Sequence, residues 1–249
     1  MSISKCRILN GNALKIIAAV FMVIDHVGFV FYPNIMVYRY LGRLAMPVFA
    51  FMIAEGCRYT KNRPLYFTLI FLLGTICQVV YAIFDPNAKI VNILITFSLA
   101  ILTVYSLDFV KKAFLERGFS LKIKALSIAV FIITVSAVYT LCYFYEIDYG
   151  FVGCMLPAFA SLFDFRRIDN EKAKKLDLLF LRVLAFSVGL VLFVFTSIVP
   201  VSFTVYSLFG IILLLLYNGK RGKLKMKYFF YVFYPLHLGV IEGVYLLLK

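Results

Sequence analysis

Apolar residues run in long stretches along the chain, and the breaks between the stretches carry ordinary turn residues. Crossing a bilayer takes about 20 mainly apolar residues in a helix. Nine segments approach that length, near 12–31, 40–57, 66–84, 90–109, 124–144, 150–163, 178–198, 203–217 and 228–248. The sixth and eighth are short, and each is expected to be either a tilted, a broken or a re-entrant helix. Turns are predicted at Tyr32-Pro33-Asn34, Asn62-Arg63-Pro64, Asp85-Pro86-Asn87, Asp148-Tyr149-Gly150, Val199-Pro200 and Asn218-Gly219. There is no internal repeat, no low-complexity segment and no connection long enough for a second folded domain. The expected fold class is all-α, a polytopic transmembrane helical bundle forming one integral membrane domain over residues 1–249.

Composition strengthens this reading. Hydrophobic residues make up 63% of the chain and charged residues 15%, with a mean hydropathy of +0.96. Soluble domains carry about 45–50% apolar and about 25% charged residues. A soluble core of this size cannot bury so much apolar surface, whereas lipid can. The N-terminal run has a basic start but no cleavage box, and Asp25-His26 sits inside it. It reads as a retained first spanning helix rather than a removed leader. The five cysteines, Cys6, Cys57, Cys77, Cys142 and Cys154, are irregularly spaced without a CxxC pair. Most of them suggest apolar fillers of helices, and the pattern indicates neither a disulfide framework nor a metal knuckle.

A formal charge of +14 suggests nucleic acid in a soluble chain, but here its distribution matters more. Lys5 and Arg7 precede the first segment, and Lys15 lies at its start. Arg58, Lys61 and Arg63 lie in the second connection, and Lys111, Lys112, Arg117, Lys122 and Lys124 in the fourth. Arg166, Arg167, Lys172, Lys174, Lys175 and Arg182 lie in or beside the sixth, and Lys220, Arg221, Lys223, Lys225 and Lys227 in the eighth. The odd-numbered connections hold only Arg39 and Lys89, and the tail holds Lys249. The positive-inside rule then predicts a cytoplasmic N-terminus and an outside C-terminus in the cell's inner membrane. The basic residues are expected to face anionic lipid heads, not nucleic acid.

Ionisable side chains within spanning segments are costly, so they are the first candidates for function. At about 100° per residue, Asn12, Lys15, Ala19, Met22 and His26 share one polar and small face of the first helix. His26 is read either as a general base turned toward a cavity or as the partner in an interhelical hydrogen bond. Asp25 either orients the histidine through the fold or pairs with a basic residue on another helix. Arg43, expected a short way into the second helix, suits an anion or developing oxyanion, the bland alternative being a snorkelling arginine. Pro47 would loosen that helix, and Arg43, Pro47, Ala50 and Ala54 lie roughly on one face. Glu55 is about 18 Å further along, at the cytoplasmic end, where a salt bridge and a role at the cytoplasmic mouth are both open. His237 follows Pro235 in the last helix, at a depth compatible with His26. Glu242 lies further out. Asp148, at the outer end of the sixth helix, is placed to reach an outward site, and Asn92 and Thr96 are one turn apart on the fourth. Tyr231, Tyr234 and Tyr245 are read as interface anchors or as cavity lining. No HExxH, GxSxG, Walker A or dinucleotide glycine pattern occurs, and no metal is expected.

Several of these segments together resemble the TraX family. They are Ile24-Asp25-His26, GRLAMPVFAFMIAEG at 42–56, Asp148-Tyr149-Gly150, Tyr217-Asn218-Gly219-Lys220-Arg221-Gly222 and KYFFYVFYPLHL at 227–238. The resemblance runs from about residue 10 to the C-terminus. The family is named for a conjugation protein that acetylates the N-terminus of pilin, and it looks related to the membrane acyltransferase-3 superfamily, which draws acyl groups from acyl-CoA. Many members of that superfamily use a histidine of the first helix, and the resemblance puts His26 in that place. Arg43, Glu55, Asp148, Asn218, Arg221 and His237 fall on recurrent polar positions of the family. The resemblance implies acetyl or other acyl transfer from acyl-CoA to an amine or hydroxyl of a protein, glycan or lipid. His26, Arg43, His237, Asp25 and Asp148 are then the catalytic candidates. Asn218, Lys220, Arg221, Lys223, Lys227 and Glu55 are the candidates for holding acyl-CoA, with the basic cluster offered to phosphates and Gly219 and Gly222 keeping the backbone accessible. Two other classes stay open. A transporter of a small or lipid-linked molecule would suit the helix prolines and midplane polar groups. A structural or assembly subunit would leave His26, Arg43 and His237 as packing groups.

Overall fold

A computed structural model describes residues 7–84, 89–197, 199–224 and 226–248. Lys5, Cys6, the Asp85-Pro86-Asn87 turn, Lys225 and Lys249 lie outside the described residues. The described chain is all-α. Its helices are α1 (Gly11–Phe31), α2 (Met36–Gly42), α3 (Ala45–Tyr59), α4 (Arg63–Phe84), α5 (Ile93–Leu115), α6 (Leu121–Phe144), α7 (Gly150–Ser161), α8 (Glu171–Lys174), α9 (Leu179–Thr196), α10 (Val201–Thr204), α11 (Gly210–Leu215) and α12 (Lys227–Leu248). A 3₁₀ stretch, Val205–Phe209, joins α10 to α11. Among the described residues seven helical segments are long and apolar enough to cross a membrane, and Gly150–Ser161 and Val201–Leu215 are shorter apolar segments.

The second apolar segment differs from a single helix over 40–57. It breaks at Arg43-Leu44 between α2 and α3. In a continuous helix the Pro47 ring would meet the carbonyl of Arg43, four residues back. Instead the Arg43 N–H closes onto the Arg39 carbonyl (3.3 Å) and the Leu44 N–H onto that of Leu41 (3.2 Å). Arg43 is therefore a junction residue rather than one inside a helix. The eighth segment is likewise built of two short α-helices around tighter 3₁₀ turns.

The chain divides into two compact units. The first comprises Met1–Met52, Thr75–Ala88 and Val194–Lys249, and the second Ile53–Gly74 and Lys89–Phe193. In the first unit α1 and α12 run parallel. Lys15 lies over the Phe230 ring (5.7 Å), His26 faces His237, and Phe31 meets Tyr245 (5.9 Å), so residues ascend together along both helices. At their starting end the loop before α12 caps α1. Asn10 accepts from the N–H groups of Asn12 and Ala13 (3.1 and 3.0 Å). Gly11 and Asn12 donate to the carbonyls of Lys220 and Arg221 (2.8 and 3.0 Å). The Asn12 side chain donates to Leu224 (2.7 Å). Four N–H groups at a helix start need outside acceptors, and this loop supplies two of them. Gly222 makes it feasible: its φ is +96°, and a Cβ there would sit 2.7 Å from the Asn10 carboxamide oxygen.

The second unit is clamped by ion pairs near its helix ends. Arg58 bridges Asp164 and Asp177, Arg63 and Lys111 share Asp108, and Arg182 pairs with Glu55. Lys111 also donates to the carbonyls of Ser161 and Asp164 (2.8 Å each), closing the C-terminal end of α7. At the other helix ends Val91 and Asp148 exchange backbone bonds with the 146–148 and 91 positions, and Thr96 donates to the Asp148 carbonyl (2.7 Å). The Asn92 side chain caps α5 and donates to Gly74 (2.7 Å). Thr96 and Asn92 are thus spent on backbone groups. Cys142 and Cys154 are in contact, Sγ to Sγ 3.9 Å, and are free thiols.

Candidate functional site

The first unit brings together the two histidines of the chain, 211 residues apart in sequence. His237 Nε2 lies 3.3 Å from His26 Nδ1, and the ring centroids are 5.0 Å apart at 59°. Each ring is anchored to its own helix, His26 Nδ1 to the Met22 carbonyl (2.9 Å) and His237 Nδ1 to that of Phe233 (3.0 Å). Phe233 stacks on His237 (5.2 Å, 10°), and Tyr234 meets it edge-on (5.3 Å). His237 is buried, and His26 is partly buried. The α1 face that carries His26 is lined as its spacing predicts: Asn12, Ala19 and Met22 are buried. In a bilayer, two polar rings held at this depth need partners inside the protein, and each supplies one to the other.

Asp25, the neighbour of His26 in sequence, points to α2. Arg39 donates to its Oδ2 at 2.8 Å. Of the two readings open for Asp25, the pairing with a basic residue on another helix is the one observed. The close approach depends on Gly42, where a Cβ would collide with the Asp25 carboxylate, and on Gly28, where one would collide with Tyr38. Oδ1 of Asp25 is buried, with no hydrogen-bond partner among the described residues. Arg39 also bears electrostatically on His26, and Arg43 on Asp25. Arg43 lies over the Phe203 ring at 4.4 Å, and Tyr40 stacks on Tyr206 (4.3 Å). The junction between α2 and α3 thereby holds a guanidinium near the carboxylate that precedes His26 on α1.

Arg39 is the residue that sequence reasoning passed over. It appeared only as one of two basic residues on the sparsely charged side.

The other candidates fall elsewhere. Asn218, Lys220, Arg221 and Lys223 belong to the capping loop of the first unit. Its backbone carbonyls are used on α1, while the side chains of Lys220, Arg221 and Lys223 are exposed and Asn218 caps the Lys220 N–H (2.9 Å). Lys227 opens α12, and its side chain lies outside those described. Glu55 and Asp148 fall in the second unit. Glu55 is buried against Arg182, and Asp148 is partly buried at the turn into α7, where Tyr149 takes φ +62°. Among the described residues no cluster of three or more His, Cys, Asp or Glu could hold a metal ion.

Comparison with known proteins gives a family and two relatives. The family described as TraX protein matches residues 10–245. Over 108 residues the chain is 33% identical to an uncharacterized protein of Rickettsia prowazekii (strain Madrid E), covering 43% of this chain and 42% of that one. The match thus spans less than half the length of that relative. Over 254 aligned positions the chain is 25% identical to the probable fimbrial assembly protein FimC, serogroup H1, of Dichelobacter nodosus, covering 92% of each. No solved structure matches the chain.

Proposed function

The chain belongs to the TraX family, and from that premise we propose that it is a membrane-embedded acyltransferase, moving an acetyl group from acetyl-CoA to an amine or hydroxyl. The observation that carries the reading is the His26–His237 contact, two proton-handling rings held against each other inside a multi-spanning helical protein.

In this reaction the acceptor's nitrogen or oxygen attacks the thioester carbonyl. A C–N or C–O bond forms, the C–S bond breaks, and the acceptor's proton ends on the CoA sulfur. His26 takes that proton and returns it to the leaving sulfur. Among the described residues its Nε2 has no hydrogen-bond partner, and that atom is not fully enclosed. Arg43, with its fork of donors, steadies the oxyanion. Direct attack by the acceptor requires no enzyme nucleophile. The exposed Lys220, Arg221 and Lys223 offer cations to the phosphates of CoA. With the positive-inside orientation, that loop is cytoplasmic, the C-terminus is outside, and the protein lies in the inner membrane. His26 is 15 residues beyond Gly11, about 22 Å along α1 from the capped end, so the acceptor is met in the outer half. The fimbrial assembly description of the Dichelobacter nodosus relative makes a protein amine the first acceptor class to supply.

The test is transfer of label from acetyl-labelled acetyl-CoA by purified protein in nanodiscs, with membrane extract as acceptor. Label on protein, lipid or glycan that is absent with His26→Ala supports the reading and identifies the acceptor class. Flux of a solute without consumption of acetyl-CoA would assign the protein to transport instead.

A further inference from the structure

The contacts around the two histidines favour one placement of their protons. A backbone carbonyl only accepts, so a neutral ring bonded to one must carry its proton on the bonded nitrogen. His26 Nδ1 faces the Met22 carbonyl at 2.9 Å, and His237 Nδ1 faces the Phe233 carbonyl at 3.0 Å. Neutral rings that make both bonds carry the proton on Nδ1 and leave Nε2 bare. The bare Nε2 of His237 lies 3.3 Å from His26 Nδ1, so it accepts a share of the proton that His26 also gives to Met22. No other neutral arrangement satisfies all three contacts.

We propose that His237 is a positioning residue for His26, holding it as the Nδ1–H tautomer so that the base lone pair is on Nε2, the atom with no partner. This rests on reading the site as an acyltransferase and deepens it by giving the pair a direction. When His26 Nε2 gains the acceptor's proton, its ring becomes cationic. The Nδ1–H then bonds more strongly to the waiting Nε2 of His237, the part a buried carboxylate plays behind the histidine of a serine hydrolase. If the Nδ1 proton crosses, the positive charge moves onto His237, whose own Nδ1–H stays on Phe233. In either state His237 has no N–H left for an oxyanion, so that role falls to Arg43 rather than being shared. Stacking by Phe233 and edge contact by Tyr234 keep the His237 ring from turning its other nitrogen toward His26.

The chain has only two histidines, which makes a direct measurement possible. Protein labelled with ring-¹⁵N histidine in nanodiscs would give two pairs of ring nitrogen signals, assigned with His237→Gln or, if that variant does not fold, His26→Gln. At neutral to mildly alkaline pH both rings are expected in the Nδ1–H form, each with an unprotonated Nε2. An Nε2–H or doubly protonated His26 overturns the proposal. Activity supplies a second readout. His237→Leu, which removes the acceptor, should lower kcat by about 10²-fold with little change in KM. His237→Gln can present a carboxamide oxygen to the same N–H and should fall between Leu and wild type. Equal losses in Gln and Leu variants that fold to the same melting temperature overturn the proposal. The two levels separate cleanly. Nδ1–H rings without any acyl transfer keep the fixed pair and remove the transferase reading, whereas transfer by a protein with Nε2–H on His26 does the reverse.

Discussion

Both units hold ion pairs, Asp25 with Arg39 in the first, but the first adds a contact of another kind. In the second, every ion pair named above joins opposite charges: Arg58 with Asp164 and Asp177, Arg63 and Lys111 with Asp108, Arg182 with Glu55. Each neutralises its partner close to a helix end, which is where a membrane protein ties its helices together with least loss of hydration. In the first unit the central contact joins two histidines. Like rings bring no opposite-charge attraction, and a Leu–Leu pair would pack there at lower desolvation cost. Ion pairing accounts for the second unit's polar groups, whereas the first unit's pair places two groups that can carry a proton against each other.

That contrast is sharpest where a buried charge loses its partner. Glu55→Leu should destabilise the protein by about 3–5 kcal/mol, because Arg182 stays buried without its carboxylate. The double variant Glu55→Leu, Arg182→Leu should regain most of the loss. Thermal unfolding in detergent reads both, and a double variant as unstable as the single one would mean that the pair is not the unit of stabilisation. Next in size is Gly222→Ala in the capping loop. A side chain at φ +96° and pressed on Asn10 should cost about 1–3 kcal/mol, visible as a lowered melting temperature, and an unchanged one would show that the loop does not hold α1. Smallest is the triple replacement of Lys220, Arg221 and Lys223 by Ala. These exposed side chains should leave stability within about 0.5 kcal/mol. The KM for acetyl-CoA should rise about 10-fold at unchanged kcat, and an unchanged KM would leave these charges only the task of orienting the chain.

The all-α, multi-spanning character was legible because apolar run length is a property of the sequence alone. So was the common depth of the two histidines, since counting residues along a helix gives depth directly. The junction at Arg43-Leu44 was half legible: Pro47 signalled a disturbance, but a proline displaces the break toward the carbonyl four residues back, and the reading left Arg43 inside a helix. The partner of Asp25 was not legible. Arg39 reaches it only because Gly28 and Gly42 let α2 lie close on α1, a fact of packing that no spacing rule encodes. The same holds for Glu55 and Arg182, 127 residues apart. In the basic loop the backbone carbonyls of Lys220 and Arg221 also cap α1, a use that side-chain charge does not signal.

The most direct test of the chemical role assigned to the first unit is to measure acetyl transfer and melting temperature together for His26→Ala. The expected result is a loss of transfer of about 10²–10⁴-fold at a melting temperature within a few degrees of wild type. Transfer that persists in the variant, or that disappears only because the variant unfolds, would contradict the assignment and leave the histidine pair as packing.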